Sequence, residues 1–530
     1  MRSFFRFALA AMCACCMLFS IPARAASHLK VKTDKGTVRG KLSADGQVRT
    51  FLGIPYAAPP VGPLRWRPPQ PMKRWSGVRD ATHFGYRCMQ PFIFHDMRFR
   101  DPGQSEDCLT LNVWTPAKNK RAKLPVMVWI FGGGYVAGAT SEPRQDGTHL
   151  AQKGVVVVSM NYRLGLFGFL ALHGLAAESH HHAAGNYGLM DQTAALQWVK
   201  RNISKFGGNP KNVTIFGESA GSFSVSAQMA SPLARGLFVH AIGESGGAFY
   251  NGGLSFAPLA KSEEADATWA KATFGTSNVA ELRKMSAQEL MQKMAADPGQ
   301  SPIAPNIDGY FLPQSVPQIY AEGKQAHIPV LAGWNRDEPS ALAINNPNPP
   351  TPASFRAMAE KEFGSRANEF LKLYPSNTEA QTIRSAIDFT GDRFIIFSTW
   401  AWLEAQVKTG EKPVYRYHFE RPSPADKFHP AGSGSFHSDE IEYVFGTLNS
   451  RLGAHWKPAD YKLSDLMQTY WTNFAKTGNP NGKNLPKWPQ YDPSDHWQIM
   501  HLNKDSHAGP APHRARYLFL KSVWEKPQAQ

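Results

Sequence analysis

No stretch of the 530-residue chain stays apolar for the about 20 residues that a bilayer-spanning helix needs, so stable membrane insertion is not expected. The most apolar segment is the N-terminus, MRSFFRFALAAMCACCMLFSIPARAASH, with two early arginines and Ala23-Arg24-Ala25 as a small-x-small cleavage site. Its apolar core of about a dozen residues is too short to span and is the length of a secretory signal peptide. We therefore expect residues 1–25 to be removed and residues 26–530 to reach the periplasm or the medium. Cysteine is scarce as well. Of five, Cys13, Cys15 and Cys16 leave with the leader, and Cys88 and Cys108 remain. An even pair in an oxidising compartment is expected to form a disulfide.

Linkers, charge blocks and internal repeats are also missing, and residues 26–530 read as a single continuous domain. Basic residues exceed acidic ones, 58 to 42, but they are scattered. Without a basic stripe interleaved with aromatics, nucleic-acid binding is not expected. The run His180-His181-His182 lies in AAESHHHAAGNYG, a loop with no carboxylate or cysteine at ligand spacing. No metal and no cofactor are expected.

What the chain does have is a series of short runs rich in β-branched residues, each ending in a turn. They are LTLNVW (109–114), PVMVWIF (125–131), VVVVSMNY (155–162), NVTIF (212–216), IPVLAGW (328–334) and PVYRYHF (413–419). Segments with helical spacing separate several of them, such as DQTAALQWVKRNISKF (191–206). Continuous apolar strands alternating with helices predict an α/β fold with a large, mostly parallel sheet covered on both faces. Function in such sheets gathers at the carboxyl ends of the strands. The stretch 255–390 is more polar and reads as helical insertions over the sheet, including ATWAKATFG, VAELRKMSAQELMQKMAA and SFRAMAEKEFGS.

Gly-x-Ser-x-Gly occurs twice, around Ser219 and around Ser245, each serine preceded by Gly-Glu. A nucleophile elbow needs a strand to deliver the serine, small flanking residues, and a helix whose first amide and dipole face the developing oxyanion. NVTIF, Gly217, Gly221 and SFSVSAQMAS supply all of these around Ser219. Ser245 has an entering strand, FVHAI, but is followed by GGAFYNGGL, whose four glycines make a poor helix. Ser219 is the candidate nucleophile.

Three glycines, Gly132-Gly133-Gly134, follow the strand PVMVWI and allow backbone amides to turn toward a substrate oxygen. Gly133, Gly134 and the Ala220 amide are the candidate oxyanion donors. In this architecture the acid and then the histidine follow the serine. Asp337 and Glu338 end the strand IPVLAGW, and the bare sequence does not choose between them. Of eight histidines beyond residue 338, His437 sits in AGSGSFHSDEIEYVFG, a small-residue loop followed by an apolar anchor. It is the candidate base.

The longer motifs FLGIPYAAPPVGPLRW (51–66), SEDCLTLNVW (105–114), GNYGLMDQ (185–192), FGGNPKNVTIFGESAG (206–221) and YWTNFAKTGNPN (470–481) run in order along the chain. In these it resembles the type-B carboxylesterases, α/β-hydrolases that include cholinesterases and bacterial para-nitrobenzyl esterases. The resemblance implies a triad of Ser219, His437 and Glu338, with Gly133, Gly134 and Ala220 as oxyanion donors. It also implies the Cys88–Cys108 disulfide beside the active site, and structural ion pairs Arg65–Glu106 and Arg163–Asp191. Ser245 falls where the family has a serine near the acid, and is expected to hydrogen-bond Glu338. Two positions depart from the family pattern: Phe131 replaces the usual histidine before the glycines, and Pro339 replaces the glycine after the acid.

The expected activity is hydrolysis of carboxylic esters through an acyl-enzyme, with a small-molecule ester as substrate. Phe92, Phe94, Met97 and Phe99 in the disulfide loop, and Tyr135, suggest an aromatic-lined entrance. Two alternatives stand beside this: a silent adhesion protein on the same fold, or cleavage mainly of amides, lactones or carbonates.

Overall fold

The computed structural model of the chain describes residues 29–249, 256–296, 301–339 and 348–524. The expected signal peptide lies outside them. An eleven-stranded sheet forms the centre. Its strands are β1 (Lys41–Leu42), β2 (Arg49–Pro55), β3 (Thr110–Thr115), β4 (Leu124–Ile130), β5 (Val156–Met160), β6 (Gly208–Glu218), β7 (His240–Glu244), β8 (Val330–Asn335), β9 (Val414–Phe419), β10 (Gln498–Leu502) and β11 (His507–Pro510). They lie in the order β11-β10-β9-β8-β7-β6-β4-β5-β3-β2-β1.

The run from β10 to β5 is parallel throughout, while β1, β2, β3 and β11 pair antiparallel at the two margins. The parallel strands show no polar alternation because both faces are covered. Val126 to Ile130 and Val155 to Val158 are all fully buried. Every strand expected from the β-branched runs is present. The margins β1, β2, β10 and β11 carry weaker apolar signals and were not foreseen.

The helices that frame the active region are α1 (Tyr187–Asn202), α2 (Ala220–Ala230), α3 (Pro352–Phe363), α4 (Glu379–Gly391), α5 (Phe397–Thr409) and α6 (Pro458–Thr477). The segment VAELRKMSAQELMQKMAA forms two helices rather than one, Val279–Lys284 and Ala287–Ala296. Met285 between them is extended, and its carbonyl accepts a 2.7 Å hydrogen bond from Arg65 Nη1. A carbonyl given to that buried arginine is not available to a continuing helix. Arg65 meanwhile grips Glu106 with two bonds of 2.6 and 2.7 Å, and Arg163 grips Asp191 with two of 2.7 and 2.8 Å. Both expected ion pairs therefore form, and each ties a loop to the body of the fold. Among the described residues no helix is long and apolar enough to cross a membrane.

Cys88 and Cys108 are joined by a disulfide that closes a loop 20 residues apart in sequence. Closing a loop of this size stabilises mainly by restricting the unfolded chain. We predict that the double change Cys88→Ser and Cys108→Ser lowers unfolding stability by about 3 kcal/mol, read from urea denaturation. Equal midpoints for the two proteins would refute this.

Candidate active site

β6 delivers Ser219 to the start of α2 with φ 52° and ψ −123°, outside the regions that L-residues favour. Holding such a conformation costs about 1–3 kcal/mol, which surrounding contacts must offset. The flanking glycines make this possible. A Cβ on Gly221 would sit 2.0 Å from the carbonyl oxygen of Ile130, and one on Gly217 would sit 2.6 Å from the same atom. The turn is thus pressed against β4 at a separation that only glycine allows. The Ser219 amide donates to the Glu244 carbonyl at 2.8 Å, which pins the turn to β7 as well.

His437 lies in the loop between β9 and the short helix Ile441–Phe445. Its Nε2 is 2.9 Å from Ser219 Oγ, and its Nδ1 is 2.6 Å from Glu338 Oε2. The other carboxylate oxygen, Glu338 Oε1, accepts from the Asn335 amide at 2.8 Å and from Ser245 Oγ at 2.6 Å. Both oxygens are occupied, so the carboxylate has little freedom to turn. Ser245 makes the contact that the resemblance implied, from the end of β7.

The adjacent acid does something different. Asp337 Oδ2 accepts from the Ser435 amide at 3.1 Å, its Oδ1 accepts from Arg384 at 2.6 Å, and its own amide donates to the Ser435 carbonyl at 3.0 Å. It anchors the loop that carries His437, while Glu338 faces the imidazole.

Gly133 and Gly134 have φ of 98° and 64°, and a Cβ on Gly133 would lie 2.1 Å from the Ala137 carbonyl oxygen. Ala220 is the first residue of α2, where backbone amides have no partner within the helix. Gly133 and Gly134 line, with Ser219, one cavity of about 350 Å³, while Ala220 is buried directly after the serine and does not itself line it. Phe94, Met97, Phe394 and Ile441 give the cavity an apolar lining, and Arg144 and Glu218 add charge. Phe394 packs edge-on against His437 with ring centroids 5.1 Å apart.

One part of the sequence reading needs correction. Tyr135 is buried against Phe169 and accepts from Ser224 Oγ at 3.2 Å, so it supports the glycine loop from behind and does not line the entrance. Phe131 stacks on Tyr162, whose hydroxyl donates to the Phe131 carbonyl at 2.8 Å. The departure at this position is accommodated as core packing beneath the glycines. In the triple-histidine run, His181 stacks on Tyr310. Among the described residues, ligand atoms come within 4.8 Å of one another in the group of His418 on β9, Glu420 just after it and His501 on β10. There Glu420 Oε1 lies 2.8 Å from one imidazole and 2.5 Å from the other.

A strand-end serine at a helix start, next to a histidine and a buried carboxylate on a mostly parallel sheet, places the molecule among the α/β-hydrolases. Comparison with known proteins narrows this. The carboxylesterase family matches residues 27–519. The chain is 37% identical over 480 residues to fumonisin B1 esterase of Sphingopyxis macrogoltabida, covering 87% of this chain and 84% of that one. It is 38% identical over 488 residues to para-nitrobenzyl esterase of Bacillus subtilis, covering 88% and 93%. With cocaine esterase of Homo sapiens it shares 36% over 525 residues, covering 93% and 90%. The chain belongs to the carboxylesterase family and is a carboxylic ester hydrolase.

One charged residue at the centre of the site was not singled out from the sequence. Glu218, beside the nucleophile position, is buried, and its Oε1 lies 3.3 Å from His437 Nε2 without a hydrogen-bond partner. Its only sequence signal is the repeated Gly-Glu-Ser. Burial raises its carboxyl to about 7 against the pull of His437. Burial also pulls the His437 imidazole down, but the Glu218 and Glu338 carboxylates reverse this and raise it to about 9. Two further buried glutamates stand behind the site. Glu244, bonded by Trp471 at 2.7 Å, is pushed up to about 8 by burial, and burial and its acidic neighbours push Glu440 well above the carboxylate range.

These charges make a direct prediction. Followed by NMR, the free protein's His437 should titrate above the ordinary imidazole range, and Glu218→Gln should lower its midpoint by removing the anion facing Nε2. An unchanged midpoint in the variant would show that Glu218 does not set the histidine's charge.

Proposed function

We propose that the chain is an exported serine esterase that works through an acyl-enzyme, with residues 1–25 as its export signal and 26–530 as one catalytic unit. The observation that carries the reading is the unbroken contact chain from Ser219 Oγ through His437 to Glu338. In the proposed reaction the neutral form of His437 takes the Ser219 proton on Nε2 as Oγ attacks the ester carbonyl carbon. The oxyanion forms beside the amides of Gly133, Gly134 and Ala220. Each such donor is worth about 3 kcal/mol in the transition state.

Collapse breaks the bond to the alcohol oxygen, and His437 returns the proton to that alcohol. Water then attacks the acyl-enzyme, giving its proton to the same nitrogen, and the free acid leaves as Ser219 recovers its hydrogen. Glu338 holds the imidazole in the required orientation and stabilises its charged form. Ser245 and the Asn335 amide in turn hold Glu338. Ser245 is a positioning residue on this reading, since it touches the acid and not the substrate.

The complete Ser-His-Glu set supports an enzyme over a binding-only relative, and relatives named as esterases support esters over amides, lactones or carbonates. Hydrolysis of short-chain para-nitrophenyl esters tests the assignment. Ser219→Ala should lower kcat by about four orders of magnitude or more, and an organophosphate should label the wild-type protein but not this variant. Ser245→Ala should cost about tenfold, the worth of one hydrogen bond to a charged group. Retained turnover without Ser219, or equal and total loss in both variants, would refute the division of roles.

A further inference from the structure

The basic residues that look scattered along the chain meet at one end of the fold. β4 and β6 are neighbours and run parallel, so the segments that lead into them, 118–123 (KNKRAK) and 200–207 (KRNISKFG), lie at the same end of the sheet. The Leu124 amide donates to the Gly207 carbonyl at 2.9 Å and joins the two. A third segment, 30–35 (KVKTDK), closes on them, because Asp34 accepts from Asn202 Nδ2 at 2.8 Å and from Arg201 Nε at 3.1 Å. Lys30, Lys32, Lys118, Lys120 and Lys205 then line one groove of about 530 Å³ together with Arg49.

These three segments hold ten lysines and arginines and a single acid, Asp34. Eight of the ten cations are exposed, so their charge meets solvent. Among the described residues, the one ion pair they make is Arg201 with Asp34. Like charges gathered on one face repel, and a surface of fixed anions relieves that repulsion.

What this face lacks narrows the partner. The one aromatic residue of the three segments, Phe206, is fully buried, so they offer no ring to stack on a base. None of their large apolar side chains is exposed, which leaves no wedge to enter lipid tails. Charge alone remains, mostly as lysine ammonium groups, and it suits the headgroup plane of an anionic bilayer, where each nearby cation contributes about fivefold in affinity. The groove lies at the amino ends of β4 and β6, whereas Gly133, Gly134 and Ser219 follow their carboxyl ends. The seven residues of β4 hold the two ends about 20 Å apart.

We infer that this basic face docks the protein on a bilayer rich in anionic phospholipid, through charge and without insertion, with the cavity above Ser219 turned away from the lipid. The docking rests on the sheet topology and the lysines, not on the proposed triad. A chain held in this way stays at the lipid surface while its cavity remains open to small esters.

Co-sedimentation tests it on the protein recovered after export, with vesicles of phosphatidylcholine alone and of phosphatidylcholine mixed with phosphatidylglycerol. The protein should pellet with the anionic vesicles at about 0.1 M salt and stay in solution at about 1 M, where the screening length falls from about 10 to about 3 Å. It should ignore neutral vesicles at both. Changing Lys30, Lys32, Lys118 and Lys120 together to Gln should lower the partition coefficient by at least about a hundredfold. The same change at Lys261, Lys271, Lys361 and Lys372, on the inserted helices, gives an equal net charge and should cost less than about tenfold. All eight lysines are exposed, and circular dichroism checks that both variants fold. Turnover of a soluble para-nitrophenyl ester should persist on the vesicles, and its loss there would overturn the orientation. Binding to neutral vesicles, no binding at low salt, or equal losses in the two variants would overturn the docking itself. Retention on dextran sulfate with none on anionic vesicles would do the same, in favour of a soluble polyanion.

Discussion

The site depends on one close backbone approach. The turn around Ser219 lies against the Ile130 carbonyl because Gly217 and Gly221 have no side chains to keep it away. From that contact follow the left-handed φ of Ser219, the start of α2 immediately after it, and the presentation of the hydroxyl at the carboxyl end of β6. Ile130 also ends the strand that leads into the three glycines. The same peptide that restrains the elbow thus positions the three-glycine loop beside it. A displacement of β4 would move the elbow and the glycine loop together.

Around this centre, burial governs the charges. The imidazole faces two carboxylates: Glu338 is fixed by Ser245 and Asn335, while Glu218 Oε1 has no hydrogen-bond partner. A fixed anion at Nδ1 orients the ring and favours its charged form. A second anion near Nε2 also favours that form and stands close to where the proton is exchanged. Burial raises the Glu218 carboxyl, so its charge can itself change near neutrality, and the two groups titrate as a pair rather than independently. The apolar lining from Phe94, Met97 and Phe394 keeps the local dielectric low and strengthens all of these interactions.

How much of this could be read from the sequence varied with the kind of signal. The parallel strands were readable because a strand buried on both faces must be a continuous apolar run. β10 and β11 were not, since polar glutamine and histidine interrupt the short apolar run of QIMHL, and HAGP has no apolar run at all. The serine elbow was readable from local chemistry, because it needs glycines and a helix start within a few residues. Which carboxylate faces the imidazole was not readable from local chemistry, because Asp337 and Glu338 are alike; the family resemblance pointed to Glu338, and in the fold the loop returning through Ser435 and His437 separates the two. Arg144 and Glu218 escaped notice for a related reason. Each looks like an ordinary charged residue until distant segments close around it, Glu218 beside His437 and Arg144 beside Ser438 and Glu442.

The repeated Gly-Glu-Ser is explained by neighbouring strands. β6 and β7 are parallel, and Glu218 pairs in register with Glu244, so Ser219 and Ser245 leave adjacent strands at the same level. Their backbones match, with φ of 52° and 54°. Each serine amide also donates to the next strand, Ser219 to the Glu244 carbonyl and Ser245 to that of Gly333. What separates them is the continuation. A helix begins after Ser219 and lifts its hydroxyl to the cavity, whereas Ser245 is fully buried and turns its hydroxyl to Glu338. The same turn, one strand apart, therefore meets the histidine–carboxylate pair from its two ends: Ser219 at the imidazole, Ser245 at the acid.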